Sequence, residues 1–90
     1  MKRCHLFISG RVQGVFFRSN TRKKALELDL TGWVRNLSDG RVEALIEGEE
    51  SSLQKIIEWC HNGPDHASVE KVEVYWEDPA GEFKTFSIRY

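Results

Sequence analysis

The sequence has no long apolar run, few cysteines and no excess of either charge. No apolar stretch approaches the ~20 residues of a membrane-spanning helix. The first ten residues, Met1 to Gly10, carry two bases, but their apolar stretch is too short for a secretory signal. The cytoplasm is therefore the expected compartment. Two cysteines, Cys4 and Cys60, cannot build a disulfide framework. Lys plus Arg is 13 and Asp plus Glu is 14, for a net charge of −1. That balance removes the basic footprint of a general nucleic-acid binder and gives no attraction to an acidic membrane. No repeat, low-complexity run or linker interrupts the chain, and 90 residues fit one domain, 1–90, rather than two. Leu, Ile, Val and Phe are well represented, and aromatics make up 11%, which argues for a folded core over disorder.

Hydrophobic periodicity divides the chain into seven elements. Residues 4–12 read as a strand with Leu6 and Ile8 on one face and His5, Phe7 and Ser9 on the other. Residues 18–28 read as a helix, with Thr21, Ala25 and Leu28 on its inner face. Residues 31–37 form a second strand. The turn Ser38-Asp39-Gly40 follows, where Asp-Gly supplies the positive φ a hairpin needs. In the return strand 41–47, Val42, Ala44 and Ile46 alternate with Glu43 and Glu47, which predicts one buried face and one wet face. Ser51 and Gln54 have the spacing of a capping box. Leu53, Ile56, Ile57 and Cys60 form the stripe of a second helix, stopped at Gly63-Pro64. Val72, Val74 and Trp76 mark a fourth strand, Asp78 to Gly81 a turn, and Phe86 and Ile88 a short last strand.

The order is βαββαβ plus a short C-terminal strand. It predicts an α+β, ferredoxin-like split βαβ sandwich, with an antiparallel sheet in order 4-1-3-2 and two helices on one face. In that topology Cys4 and Cys60 are expected at opposite ends of the domain, both reduced and packed.

The segment Ser9 to Arg18 joins the first strand to the first helix. Its N–H groups, together with the helix's own unpaired donors and dipole, have the makings of an anion nest. A glycine-rich strand–helix turn also serves merely to reverse a chain, so spacing alone leaves both readings open. Arg18 opposes the helix dipole unless it faces an anion, where its planar fork grips two oxygens; otherwise it extends into water. Asn36, at the end of the second strand, lies one strand away from the first, about 9–10 Å across. It either shares an anion at the first turn or prepares the hairpin through an Asx-type bond.

The stretch Gly10-Arg11-Val12-Gln13-Gly14-Val15-Phe16-Phe17-Arg18 resembles the first acylphosphatase signature. Gly32-Trp33-Val34-Arg35-Asn36-Leu37-Ser38-Asp39-Gly40-Arg41-Val42, followed by Gly48, resembles the second. Gly63-Pro64, Ala67, Val69 and Phe86 to Tyr90 are similar to the same family, so the likeness covers the whole chain. One departure is Asp29, where relatives often carry a helix-ending Gly; Asp tolerates left-handed backbone better than most residues. The resemblance implies hydrolysis of the carboxyl–phosphate bond of acyl phosphates, without metal or cofactor. It implies that the backbone N–H groups of Gln13, Gly14, Val15, Phe16, Phe17 and Arg18 bind the phosphoryl group with the Arg18 side chain, and that Asn36 orients the attacking water. Inorganic phosphate or sulfate would be a product-like ligand, and a monomer is expected. Such a grip on the phosphoryl end would tolerate many acyl groups.

Other readings weigh less. His5, His61 and His66 with Cys60 match no standard zinc spacing. The three tryptophans and Lys23-Lys24 read as packing and solvated face. RNA-recognition domains share the element order but need aromatics on the third strand, where this chain has none. A non-catalytic, regulatory phosphate-binding domain of the same fold is the alternative that only activity separates.

Overall fold

The computed structural model describes residues 1–90. Five strands and two helices follow in the expected order: β1 (Lys2–Arg11), α1 (Phe17–Glu27), β2 (Thr31–Asn36), β3 (Val42–Gly48), α2 (Glu50–Asn62), β4 (Ser68–Glu77) and β5 (Phe86–Arg89). The sheet order is β4-β1-β3-β2-β5. The first four strands pair antiparallel, as read from the sequence, while β5 adds a parallel pair beside β2. No helix is long and apolar enough to cross a membrane.

Register explains which side chains meet. Cys4 stands opposite Ile46, which stands opposite Gly32; Leu6, Ala44 and Val34 form the next row, and Ile8, Val42 and Asn36 the last. Side chains alternate faces along a strand, so these rows share the face toward the helices. Leu6, Ile8, Val34, Val42, Ala44 and Ile46 are fully buried there, in one cluster with Ala25, Leu53, Ile56 and Cys60. Phe86 joins it from β5.

The helix ends obey local chemistry. α1 closes with Asp29 at φ 56; the Asp29 N–H donates to the Leu26 carbonyl and the Leu30 N–H to that of Ala25. This is the paired bond of a Schellman cap, built on Asp where Gly is the usual choice. The capping box expected at Ser51 does not form. α2 starts two residues earlier than that box implies, Glu49 is the cap residue, and no side chain bonds the free N–H groups. Glu50 in the first turn complements the dipole instead.

Two further expectations change. Glu43 and Glu47 are buried, with exposures of 6% and 1%. Period-2 patterning in one strand cannot see what neighbouring strands place over it. The outer face of the sheet carries Arg35 2.6 Å from Glu43, His5 2.6 Å from Glu43, and Arg3 3.5 Å from Glu47. The chain after β4 adds the Ala80 and Gly81 N–H groups, which donate to Glu47 at 2.9 and 3.1 Å. Arg35 and Arg89 stack on Trp33 and Arg41 on Phe7.

Cys4 and Cys60 are free and buried, as expected, but they share one core rather than lying at opposite ends. A helix advances about 1.5 Å per residue and a strand about 3.3 Å. Ten residues into α2, Cys60 has travelled only about half the length of β1. Burial, with help from Glu77, pushes the Cys4 thiol up to about 12. Burial, and then nearby Cys4, raises Cys60 as well. Both thiols stay protonated and unreactive.

Candidate active site

The site is built where β1 ends. Gly10 lies within the strand, at a bulge against β4. It has φ 122, and a Cβ there would come 2.3 Å from the Ser68 carbonyl oxygen. Its role is this close approach, and the sharp turning falls later, at Gly14 and Phe16. These two residues have φ 73 and 63. Left-handed residues interleaved with right-handed backbone are the pattern of an anion nest.

No N–H group from Gln13 to Ser19 donates to a backbone carbonyl, and no side chain caps α1. The first backbone bond of the helix is from Asn20 to the Phe16 carbonyl, at 3.1 Å. The first turn holds no acidic residue, so nothing in the chain neutralises the positive end of its dipole. Free N–H donors at a helix start form a ready anion site.

Each residue of the loop does a separate job. The Gln13 side chain donates to the carbonyls of Leu37 and Arg41, at 2.7 and 3.0 Å, and ties the loop to the β2–β3 hairpin. Val15 and Phe17 are core residues, 5% and 1% exposed. Phe17 packs its ring 5.5 Å from that of Trp59. Gly63 makes room for it: a Cβ there would come 2.7 Å from the Phe17 ring. The Gly63 read from sequence as a helix stop is thus also the seat of the loop's anchor. Gly14 and Phe16 face the surface. The hairpin is held in turn by Asp39, which accepts from the Arg41 N–H and Nε. The backbone bond, with smaller help from the Arg41 side chain and charge, holds the Asp39 carboxyl below its ordinary range.

Val12, Gly14, Phe16, Phe17, Arg18, Ser19, Asn36, Ile88 and Tyr90 line a cleft of about 320 Å³. Arg18 is half-buried and lies over the Tyr90 ring at 5.0 Å. It makes no ion pair, unlike Arg3, Arg35 and Arg41. Asn36 continues the inward row of β2 two residues beyond Val34, at the sheet edge where β1 gives way to the loop. Its Oδ1 is buried and has no hydrogen-bond partner. An Asx bond to the hairpin would occupy that atom, and none is made. Such an orphaned acceptor is costly and calls for an explanation.

The sequence-predicted residues therefore come together, but not all in the same way. Gly14, Phe16, Phe17, Arg18 and Asn36 line the cleft, while Gln13 and Val15 direct their side chains elsewhere and offer only backbone N–H. Sequence reasoning missed Tyr90 and Ile88 as walls. The signal was present in the alternation Phe86, Ile88, Tyr90: Phe86 and Ile88 pair with Gly32 and Val34 on the face toward the helices, and Tyr90 follows just beyond the end of β5, exposed beside the cleft. No three His, Cys, Asp or Glu side chains gather to hold a metal.

Comparison with known proteins shows the family. The acylphosphatase family model matches residues 4–88. An acylphosphatase of Roseiflexus sp. (strain RS-1) is 60% identical over 98% of this chain and 95% of its own. The crystal structure of acylphosphatase from Bacillus subtilis superposes with a TM-score of 0.96 at 39% identity, over all of both chains. An acylphosphatase from Coxiella burnetii gives a TM-score of 0.89 at 46% identity, covering 98% of this chain and 92% of that one. The chain belongs to the acylphosphatase family, enzymes that hydrolyse acyl phosphates.

Proposed function

We propose that the phosphoryl group of an acyl phosphate sits on the N–H groups of residues 13–18, gripped by the Arg18 guanidinium, and that Asn36 aims the water that attacks it. One observation carries this reading: unpaired donors, an unpaired cation and an orphaned buried acceptor border one cleft. The donors and the cation suit a tetrahedral dianion. The acceptor suits a neutral water, whose O–H would donate to Asn36 Oδ1 and leave a lone pair directed at phosphorus.

The chemistry needs no more groups than these. The P–O bond to the acyl oxygen breaks as the water oxygen forms its bond to phosphorus. The leaving carboxylate has a conjugate acid with a pKa near 4, so it departs without a general acid. Phosphoryl transfer depends on positioning and charge stabilisation. The nest and Arg18 supply the second, and Asn36 supplies the first. A carboxylate base beside the phosphate would be repelled, and a neutral amide avoids this. A phosphate oxygen accepts the proton of the water. The reaction runs without a metal ion, and the protein acts as a monomer in the cytoplasm, with inorganic phosphate as its product ligand.

Loss of benzoyl phosphate in the presence of EDTA tests this reading. Turnover is expected in the native protein and a loss of about 10²–10³ in kcat/KM in Arg18→Ala. Asn36→Ala is expected to lose kcat while keeping most of its affinity for inorganic phosphate. Lost phosphate binding with normal turnover in Asn36→Ala would reverse the two roles. Phosphate binding with no turnover in the native protein would favour a regulatory domain.

A further inference from the structure

Phe16 stands apart from every other aromatic residue of the loop and core. It is 74% exposed, although its neighbour Phe17 is buried. It holds the left-handed conformation, φ 63 and ψ 25, in a position where glycine would be free of strain. Strain of this kind persists only where the surroundings over-determine it. Here they do: the Phe16 carbonyl accepts from the Asn20 N–H at 3.1 Å, from Asn20 Nδ2 at 2.9 Å and from Ser19 Oγ at 3.2 Å. The backbone is pinned by three donors while the ring is left in water. A glycine would satisfy the same three bonds, so the bonds do not account for the ring.

The ring's position suggests its use. Phe16 walls the cleft that contains Arg18 and Asn36, and it also walls an adjoining hollow of about 390 Å³ bordered by Trp59 and Pro64. The cleft's charged and polar groups are committed to the phosphoryl end of the substrate, so the organic end must pass over the rim. At that rim the chain keeps an exposed flat ring.

We infer that the Phe16 ring is the platform on which the acyl group lies, so that the enzyme favours acyl phosphates with a flat, apolar acyl group such as an aryl group. This rests on the phosphoryl reading above and sharpens it, since a phosphoryl grip alone is indifferent to the acyl end. Offset stacking of two aromatic rings is worth roughly two- to tenfold in an equilibrium constant.

The test has two arms. In the native protein, phenylphosphonate is expected to inhibit acetyl phosphate hydrolysis about fivefold more tightly than methylphosphonate. Equal inhibition constants overturn the platform. In the second arm, Phe16→Gly keeps the left-handed backbone and removes the ring. The ratio of kcat/KM for benzoyl phosphate to that for acetyl phosphate is expected to fall about fivefold, mainly through KM, and Phe16→Tyr to restore it. Any loss through the backbone falls on both substrates and cancels in that ratio. An unchanged ratio overturns the platform. Inorganic phosphate distinguishes this failure from failure of the phosphoryl reading: if it competes with substrate in the native protein, the nest stands whatever becomes of Phe16. If it does not compete, the nest is what fails.

Discussion

Two polar regions of this molecule keep opposite hydrogen-bond accounts. On the outer face of the sheet, Glu43 and Glu47 are buried and partnered by Arg35, His5, Arg3 and two backbone N–H groups. Even Arg3 Nε, which makes no well-formed hydrogen bond, lies 3.2 Å from the Glu77 carboxylate. At the cleft, Arg18 has no carboxylate, the N–H groups of residues 13–19 have no acceptor, and Asn36 Oδ1 has no donor. Both regions use charged and amide groups at strand ends and loops. The face is a finished structure, because leaving any of its charges unpaired costs several kcal/mol. The cleft is unfinished in a pattern that a substrate completes.

The difference can be broken from either side. The largest effect is expected from Arg18→Ala, a loss of about 10²–10³ in kcat/KM for benzoyl phosphate, with a urea midpoint close to that of the native protein. A large fall in stability would make Arg18 a structural residue like those of the face. The reverse is expected of Glu47→Ala. It strands the N–H groups of Ala80 and Gly81 and leaves Arg3 with Glu77 alone, and should cost about 1–3 kcal/mol in urea unfolding, with kcat little changed in the folded fraction.

Glu43 sharpens the contrast through pH. Burial alone would raise its pKa, but the hydrogen bonds from His5 and Arg35 outweigh that and hold it below its ordinary value of 4.5. A carboxyl lowered by folding stabilises the native state fully above that ordinary value. The stabilisation is lost as pH falls through the lowered one. Glu43→Gln should therefore be less stable at pH 7, with a shallower loss below about pH 4.5, as followed by circular dichroism. An identical acid limb in the two proteins would remove Glu43 from the account. The smallest effect belongs to neither region: Asp29→Gly, at φ 56, should add about 0.5 kcal/mol by relieving left-handed strain, without altering turnover.

Much of this was legible in the sequence, and the failures share a cause. The alternation of Leu6 and Ile8, the Asp39-Gly40 turn and the stripe from Leu53 to Cys60 each report on a single element, and each is found in the fold. Glu43 and Glu47 were misread because their partners come from other strands and from the chain beyond β4. The relation of Cys4 to Cys60 was misread because a helix and a strand cover different lengths per residue. At the site, the glycines and Arg18 gave a local signal. The orphaned Asn36 oxygen, the stacking of Arg18 on Tyr90 and the left-handed Phe16 are products of packing, and no single-residue rule marks them.

The central claim is that the N–H groups after β1 are the ligands of the phosphoryl group. Titrating the native protein with inorganic phosphate while following its ¹⁵N–¹H spectrum tests this most directly. The amide protons of residues 13–19 and the Arg18 Nε–H should move downfield together along one saturable curve, while those of the outer face stay fixed. If these loop amides stay still while the protein continues to hydrolyse benzoyl phosphate, the phosphoryl group is held somewhere else.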